Sequence, residues 1–254
     1  VIDLIIDGHT HFAGEGRGLP PNSVGELLAV MDRNGIDAVV TTPPYSSIGP
    51  DRTYDEANAF IASAMKRAPD RFLGFLRVNP HFREHALERI EVGVKEEGFR
   101  GVKLHPRNEA FPINSEMLVH PIAELASRLR VPLLIHTGDP DTYGYAQPTL
   151  VGGLADVFPE VTMILGHMGK RLHEDAILVA RWFDNIVLET SFQSPRVIER
   201  AVERVGAERV VYGSDMPFGF PEVEMMKIEI CGIGREEKEM ILGGNMATVL
   251  GLEG

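Results

Sequence analysis

Short apolar runs recur along this chain, each followed by a polar or Gly/Pro-rich loop and then by an amphipathic stretch. Several of the runs are continuous Val/Ile/Leu without polar alternation, as expected of parallel strands covered on both faces. The pattern predicts strands at 2–7, 38–41, 72–78, 101–105, 132–135, 161–165, 186–189 and 209–212. Between them it predicts helices at 24–33, 54–68, 84–96, 121–129, 149–158, 172–183 and 195–205. The first helix has Ser23 as N-cap, Leu27, Leu28 and Met31 at helical spacing, and a stop at Gly35. The last opens with Ser194 as cap and Pro195 at the first helical position. Two or three short tail helices follow, among them 236–242 and 246–250.

Eight strand–helix units in 254 residues match the size of a (β/α)8 barrel. An open doubly wound sheet is the competitor, but no Gly-rich dinucleotide fingerprint follows the first strand. The expected fold is therefore α/β, a (β/α)8 TIM barrel, with residues 1–254 in a single domain that ends in short helices.

Composition narrows the partners. The net charge of -12 argues against nucleic acid or an anionic membrane surface and leaves a small-molecule substrate. A single cysteine, Cys231, excludes an intrachain disulfide and suits a reducing compartment. No apolar run approaches the roughly 20 residues that cross a bilayer. The opening residues carry an acid and no basic flank, unlike a signal peptide. A cytoplasmic protein is expected.

Catalytic residues of such barrels sit at the carboxyl ends of strands. His9 and His11 close the first strand and, two apart, face the same way. Lys103 and His105 lie at the end of the fourth, His136 of the fifth, His167 of the sixth, Glu189 of the seventh and Asp215 of the eighth. Unrelated core histidines would not repeat that phase. First and last strands are neighbours in a closed barrel, so His9, His11 and Asp215 are expected to meet across the seam, with His136 reaching in from the opposite side. His81, His85, His120 and His173 fall on or beside helices and read as surface residues. Asn245 reads as the cap of a tail helix or the holder of a turn.

The motifs Asp7-Gly8-His9-Thr10-His11, Gly101-Val102-Lys103-Leu104-His105-Pro106, Ile135-His136, Gly166-His167-Met168-Gly169, Gly213-Ser214-Asp215-Met216-Pro217 and Gly244-Asn245 run in order over nearly the whole chain. Together they resemble the amidohydrolase superfamily, in the branch that includes aminocarboxymuconate-semialdehyde decarboxylase, γ-resorcylate decarboxylase and the pyrone-dicarboxylate lactonases. Lys170-Arg171 departs from the commoner form, in which a second glycine is frequent. The resemblance implies that His9, His11, His136 and Asp215 hold one divalent metal, usually Zn²⁺, with Mn²⁺ and Fe²⁺ also suited to these ligands. It implies proton handling near the metal by His167, with Asp215 as catalytic acid or base. Relatives are often dimers, which puts a homodimer among the expectations.

Three roles stand open for Lys103: pairing with Glu189 or Asp7, binding a substrate carboxylate, or carboxylation to bridge a second metal as in two-metal relatives. His105 is either a substrate contact or a structural cap. Phe12, Arg107, Tyr143 and Phe218 are candidates to line the pocket. The first functional expectation is a metal-dependent hydrolase that uses metal-activated water on a small ester, lactone or amide, carboxylate-bearing or not. The alternative is a metal-dependent non-oxidative decarboxylase of an unsaturated or aromatic acid. A third reading is a catalytically inactive barrel that only binds metal.

Overall fold

The computed structural model describes residues 4–12, 21, 23–44, 53–138 and 144–252. Its strands are β1 (Ile6–His11), β2 (Ala38–Thr42), β3 (Phe72–Arg77), β4 (Gly101–Leu104), β5 (Leu133–His136), β6 (Met163–Gly166), β7 (Ile186–Glu189) and β8 (Val210–Val211). They form one eight-stranded sheet in the order β1 to β8, and every ladder resolved between neighbours from β1 to β7 is parallel. The ring closes where the Gly8 N–H donates to the Tyr212 carbonyl (2.9 Å) and the Asp215 N–H to the His9 carbonyl (2.8 Å), beside a parallel bridge between Thr10 and Met216. With intervening helices, this is a (β/α)8 barrel, as the apolar periodicity predicts.

The helices are α1 (Val24–Asn34), α2 (Asp55–Arg67), α3 (Glu84–Glu96), α4 (Pro106–Glu109), α5 (His120–Leu129), α6 (Pro148–Val157), α7 (His173–Trp182), α8 (Pro195–Val205), α9 (Pro221–Glu229), α10 (Arg235–Glu239) and α11 (Asn245–Val249). The backbone groups into two compact units, Val1–Pro44 with Glu56–Gly74 and Glu189–Gly254, and Tyr45–Asp55 with Phe75–Leu188.

In the first unit the Ser23 hydroxyl caps α1 by accepting from the Glu26 N–H (3.1 Å), and Gly35 ends it in the left-handed region. Leu27, Met31 and Ile61 are fully buried, as are Val39, Val40, Val210 and Val211 of the strands. Asn245 opens α11 and holds the chain that leads into β8. Its Nδ2 donates to the Ala207 and Val210 carbonyls, both at 2.7 Å and buried. It thus holds a turn, one of its two expected roles. In the second unit Leu76, Val102, Leu104, Leu133, Leu134, Ile135, Ile164 and Leu165 are all buried. Gly138, at φ +91°, approaches so close that a Cβ there would lie 2.0 Å from the Gly169 carbonyl oxygen.

Two elements differ from expectation. A one-turn helix, α4, replaces the start of the long loop predicted after β4. Pro106 at its first position and the capping side chain of His105 support a turn too short for periodicity to reveal. Helix α9, the third of the two or three tail helices expected, had no bounds assigned, because Val223 and Met226 are exposed while Glu224 is buried, so the usual apolar-inside stripe is missing.

Asn245→Ala is expected to remove one donor from each of two buried carbonyls, of which that of Ala207 keeps the Val210 N–H, and to cost about 2–3 kcal/mol. Thermal unfolding should show a Tm about 5–10 °C lower, with the same fold by circular dichroism.

Candidate metal centre

In the first unit, β1 delivers His9 and His11 to one end of the sheet, and the turn after β8 delivers Asp215. The His9 ring Nδ1 lies 2.8 Å from Glu189 Oε2, and His11 Nδ1 lies 3.3 Å from the Pro43 carbonyl. A carbonyl only accepts, and so does an ionised carboxylate, so each Nδ1 is the donor. In the neutral rings Nε2 then carries the lone pair. Both lone pairs face one atom, Asp215 Oδ1, at 3.4 Å from His9 and 3.0 Å from His11. Three electron-rich atoms directed at one another repel unless a proton or a cation lies among them. This donor set fits a divalent metal, and Glu189 fixes the orientation of the His9 ring.

The surroundings are dry. His9, Glu189 and Asp7 are fully buried, and His11 and Asp215 are each about 5% exposed. Glu189 also accepts from the Ser191 hydroxyl (2.8 Å) and from the Ser191 N–H. Asp7 accepts from the backbone N–H groups of Ser214 (2.9 Å) and His9 (3.2 Å), tying β1 to the turn after β8. Burial, against these hydrogen bonds, pushes the Asp7 carboxyl up to about 7. Asp215 has φ +53°, a conformation that costs a non-glycine residue about 1–3 kcal/mol. The hydrogen bonds of its N–H to His9 and of its carbonyl to the Phe218 and Gly219 N–H groups hold it there.

In the second unit, β5 ends in His136 and β6 runs into His167, which also has positive φ, +65°. His167 Nε2 and His136 Nδ1 are 3.1 Å apart, so one ring donates and the other accepts. The ring of His105 stacks flat on that of His136, with centroids 3.8 Å apart and planes 11° from parallel. The Thr137 hydroxyl donates to the Gly166 carbonyl (2.7 Å) and accepts from the Gly169 N–H (3.0 Å), locking the ends of β5 and β6 together.

The remaining candidates have defined places. His105 Nδ1 accepts from the Asn108 N–H (3.3 Å) and so caps α4. Lys103 is fully buried in β4, in register with Arg77 and Leu134. Phe218 is half-buried and meets His11 edge-on at 5.6 Å. Phe12 is buried against Phe60, with centroids 4.9 Å apart. Arg107 is exposed, and Tyr143 lies outside the described residues. His81 and His85 are exposed and His120 and His173 half-buried. Sequence reasoning missed Arg77, whose guanidinium is buried on Glu109 at 2.7 Å. A charge at the end of the apolar strand Phe-Leu-Gly-Phe-Leu-Arg was the available signal, the same one that singled out Lys103. Glu189, one of the two partners considered for Lys103, lies behind His9.

A parallel barrel with imidazoles and a carboxylate gathered at its strand ends defines a class of metal-binding barrel enzymes. The chain belongs to the amidohydrolase family, whose model, described as Amidohydrolase, matches residues 6–252. It is 26% identical over 282 residues to a γ-resorcylate decarboxylase of Polaromonas sp. (strain JS666 / ATCC BAA-500), covering 89% of this chain and 86% of that protein. Among solved structures, the 5-carboxyvanillate decarboxylase of Sphingomonas paucimobilis superposes with a TM-score of 0.79 at 20% identity, covering 97% of this chain and 98% of the other. A dihydroxybenzoic acid decarboxylase of Polaromonas sp. JS666, solved with manganese and the inhibitor 2-nitroresorcinol, gives 0.80 at 21% identity over 99% and 98% of the two chains. Among the described residues no helix is long and apolar enough to cross a membrane.

Glu189→Gln removes the charge behind His9 while keeping the shape. It is expected to weaken Mn²⁺ or Zn²⁺ binding by about 10–100-fold, read by competition with a chelator.

Proposed function

We propose that this chain is a metal-dependent, non-oxidative decarboxylase of a hydroxylated aromatic acid. The observation that carries the reading is the pair of imidazole lone pairs aimed at Asp215 Oδ1, in a chain whose curated relatives include γ-resorcylate decarboxylases. Those relatives favour the decarboxylase alternative over the hydrolase expected first. The proposed ligands of a single divalent cation are His9, His11, His136 and Asp215, with His167 beside them. Zn²⁺, Mn²⁺ and Fe²⁺ are the candidate ions, and the Polaromonas structure, which holds manganese, favours Mn²⁺.

A cation held there would anchor an anionic substrate oxygen and neutralise its charge. Decarboxylation replaces the ring's bond to the carboxylate by a bond to hydrogen, so the chain must deliver one proton to that carbon. Asp215, buried beside two imidazoles, is the proposed donor, and His167, hydrogen-bonded to His136, the group that resupplies it. A ring hydroxyl next to the carboxylate supplies electron density as the proton arrives. The electron pair of the breaking C–C bond returns to the ring, and CO₂ leaves neutral. Lys103 is suited to an anionic group of the substrate, and His105, Arg107, Phe12, Tyr143 and Phe218 are the proposed lining, with the Phe218 ring as an apolar wall beside His11.

Protein loaded with Mn²⁺ or Zn²⁺ is expected to release CO₂ from γ-resorcylate or a related hydroxybenzoate and to leave lactones untouched. Acid release from lactones without CO₂ would restore the hydrolase reading, and bound metal without turnover on either panel would mark an inactive barrel. His136→Ala and Asp215→Ala should each lose most bound metal by elemental analysis, together with all activity. Full metal retention in both would refute the ligand assignment.

A further inference from the structure

Behind the histidines of the second unit lies a buried ionic cluster that none of the roles above uses. Arg77, at the end of β3, is fully buried. Its Nη2 donates to Glu109 Oε1 at 2.7 Å, and its guanidinium lies 4.7 Å from the centre of the Tyr54 ring. The same carboxylate oxygen accepts from the Tyr54 hydroxyl (2.5 Å) and from Asn108 Nδ2 (2.8 Å). Asn108 Nδ2 also reaches the Tyr54 hydroxyl oxygen at 3.2 Å. His81 Nε2 lies 2.9 Å from the Glu109 carbonyl, which fastens the backbone of the same residue.

A buried ion pair is seldom a net gain in stability over an apolar pair of similar volume. Its value lies in what it orients. Glu109 is the last residue of α4, and α4 is the single turn capped by His105. With Glu109 clamped, the Asn108 N–H is held against His105 Nδ1, which leaves the proton of the neutral ring on Nε2. His105 in turn lies flat against His136 at 3.8 Å. The ring plane of His136 sets where its remaining lone pair points.

We propose that Arg77 and Glu109, with Tyr54, are positioning residues. They fix the tautomer and plane of His105, and through the stacked rings they fix the plane of His136. The step from His105 to metal affinity rests on the assignment of His136 as a ligand; the step from Arg77 to the His105 ring does not.

The test compares wild type with Glu109→Gln, Arg77→Met and Tyr54→Phe. Ring ¹⁵N resonances of His105 and His136 are recorded with and without diamagnetic Zn²⁺ and without substrate, and Zn²⁺ affinity is measured by chelator competition. In Glu109→Gln and Arg77→Met the His105 signals are expected to move to a mixture of both tautomers, the His136 signals to shift with them, and Zn²⁺ to bind about tenfold more weakly. Tyr54→Phe, which removes one donor and keeps the ring, should move the same signals in the same direction by less. Ring signals identical to wild type in Glu109→Gln or Arg77→Met that retains its fold would overturn the inference. If neither folds, unchanged ring signals in Tyr54→Phe overturn it alone. Shifted ring signals with unaltered Zn²⁺ affinity would support the coupling and count against His136 as a ligand. None of these readouts depends on which acid the enzyme consumes.

Discussion

Both imidazoles of the His-x-His motif commit their Nδ1 proton to an acceptor oxygen, and everything else at this end of the first unit follows from that. Once Glu189 and the Pro43 carbonyl have claimed those protons, the two Nε2 atoms confront Asp215 with lone pairs. In water such an arrangement would relax by rotation. Here His9 is fully buried, its backbone N–H is tied to Asp7, and its carbonyl receives the N–H of Asp215 itself. The seam of hydrogen bonds between β1 and the turn after β8 thus closes the sheet and also holds three like-natured atoms in mutual opposition. A cation satisfies all three at once.

The second unit uses a related device with different parts. The Thr137 hydroxyl, just past β5, donates to the Gly166 carbonyl at the end of β6 and accepts from the Gly169 N–H beyond it, which ties His136 to His167, while His167 is held at positive φ. Asp215 in the first unit is held likewise. Both residues pay locally for a side-chain direction that relaxed backbone would not give, and in each case nearby hydrogen bonds keep the conformation. Buried charge is handled in the same spirit. Glu189 is surrounded by His9 and Ser191, and Glu109 by Arg77, Tyr54 and Asn108, so each carboxylate meets several donors in place of water.

Much of this was legible from residue order. The apolar runs located all eight strands, and the ionisable residues at their ends marked His9, His11 and Asp215, which do meet across the seam. Residue order could not say which partner each buried charge would take. Glu189 was weighed only as a partner for Lys103, and its place behind His9 was not foreseen, because strand-end chemistry depends on register and tilt rather than on spacing along the chain. Arg77 escaped notice because its partner Glu109 belongs to a single helical turn, too brief for any periodicity. Helix α9 was hidden for the opposite reason, since its apolar side chains Val223 and Met226 face outward. Tyr143 falls in 139–143, outside the described residues.

The tie between the ends of β5 and β6 has a bearing on how such a scaffold diversifies. The Gly138 N–H donates to the Ala146 carbonyl at 2.9 Å, which closes the base of the intervening segment. His136 and His167 are fastened on the barrel side of that closure, by Thr137. The bonds that tie them run between Thr137, Gly166 and Gly169, next to the rings in sequence. A change at Thr137 would therefore disturb both rings together, so one small side chain binds two distant parts of the sequence to a shared constraint.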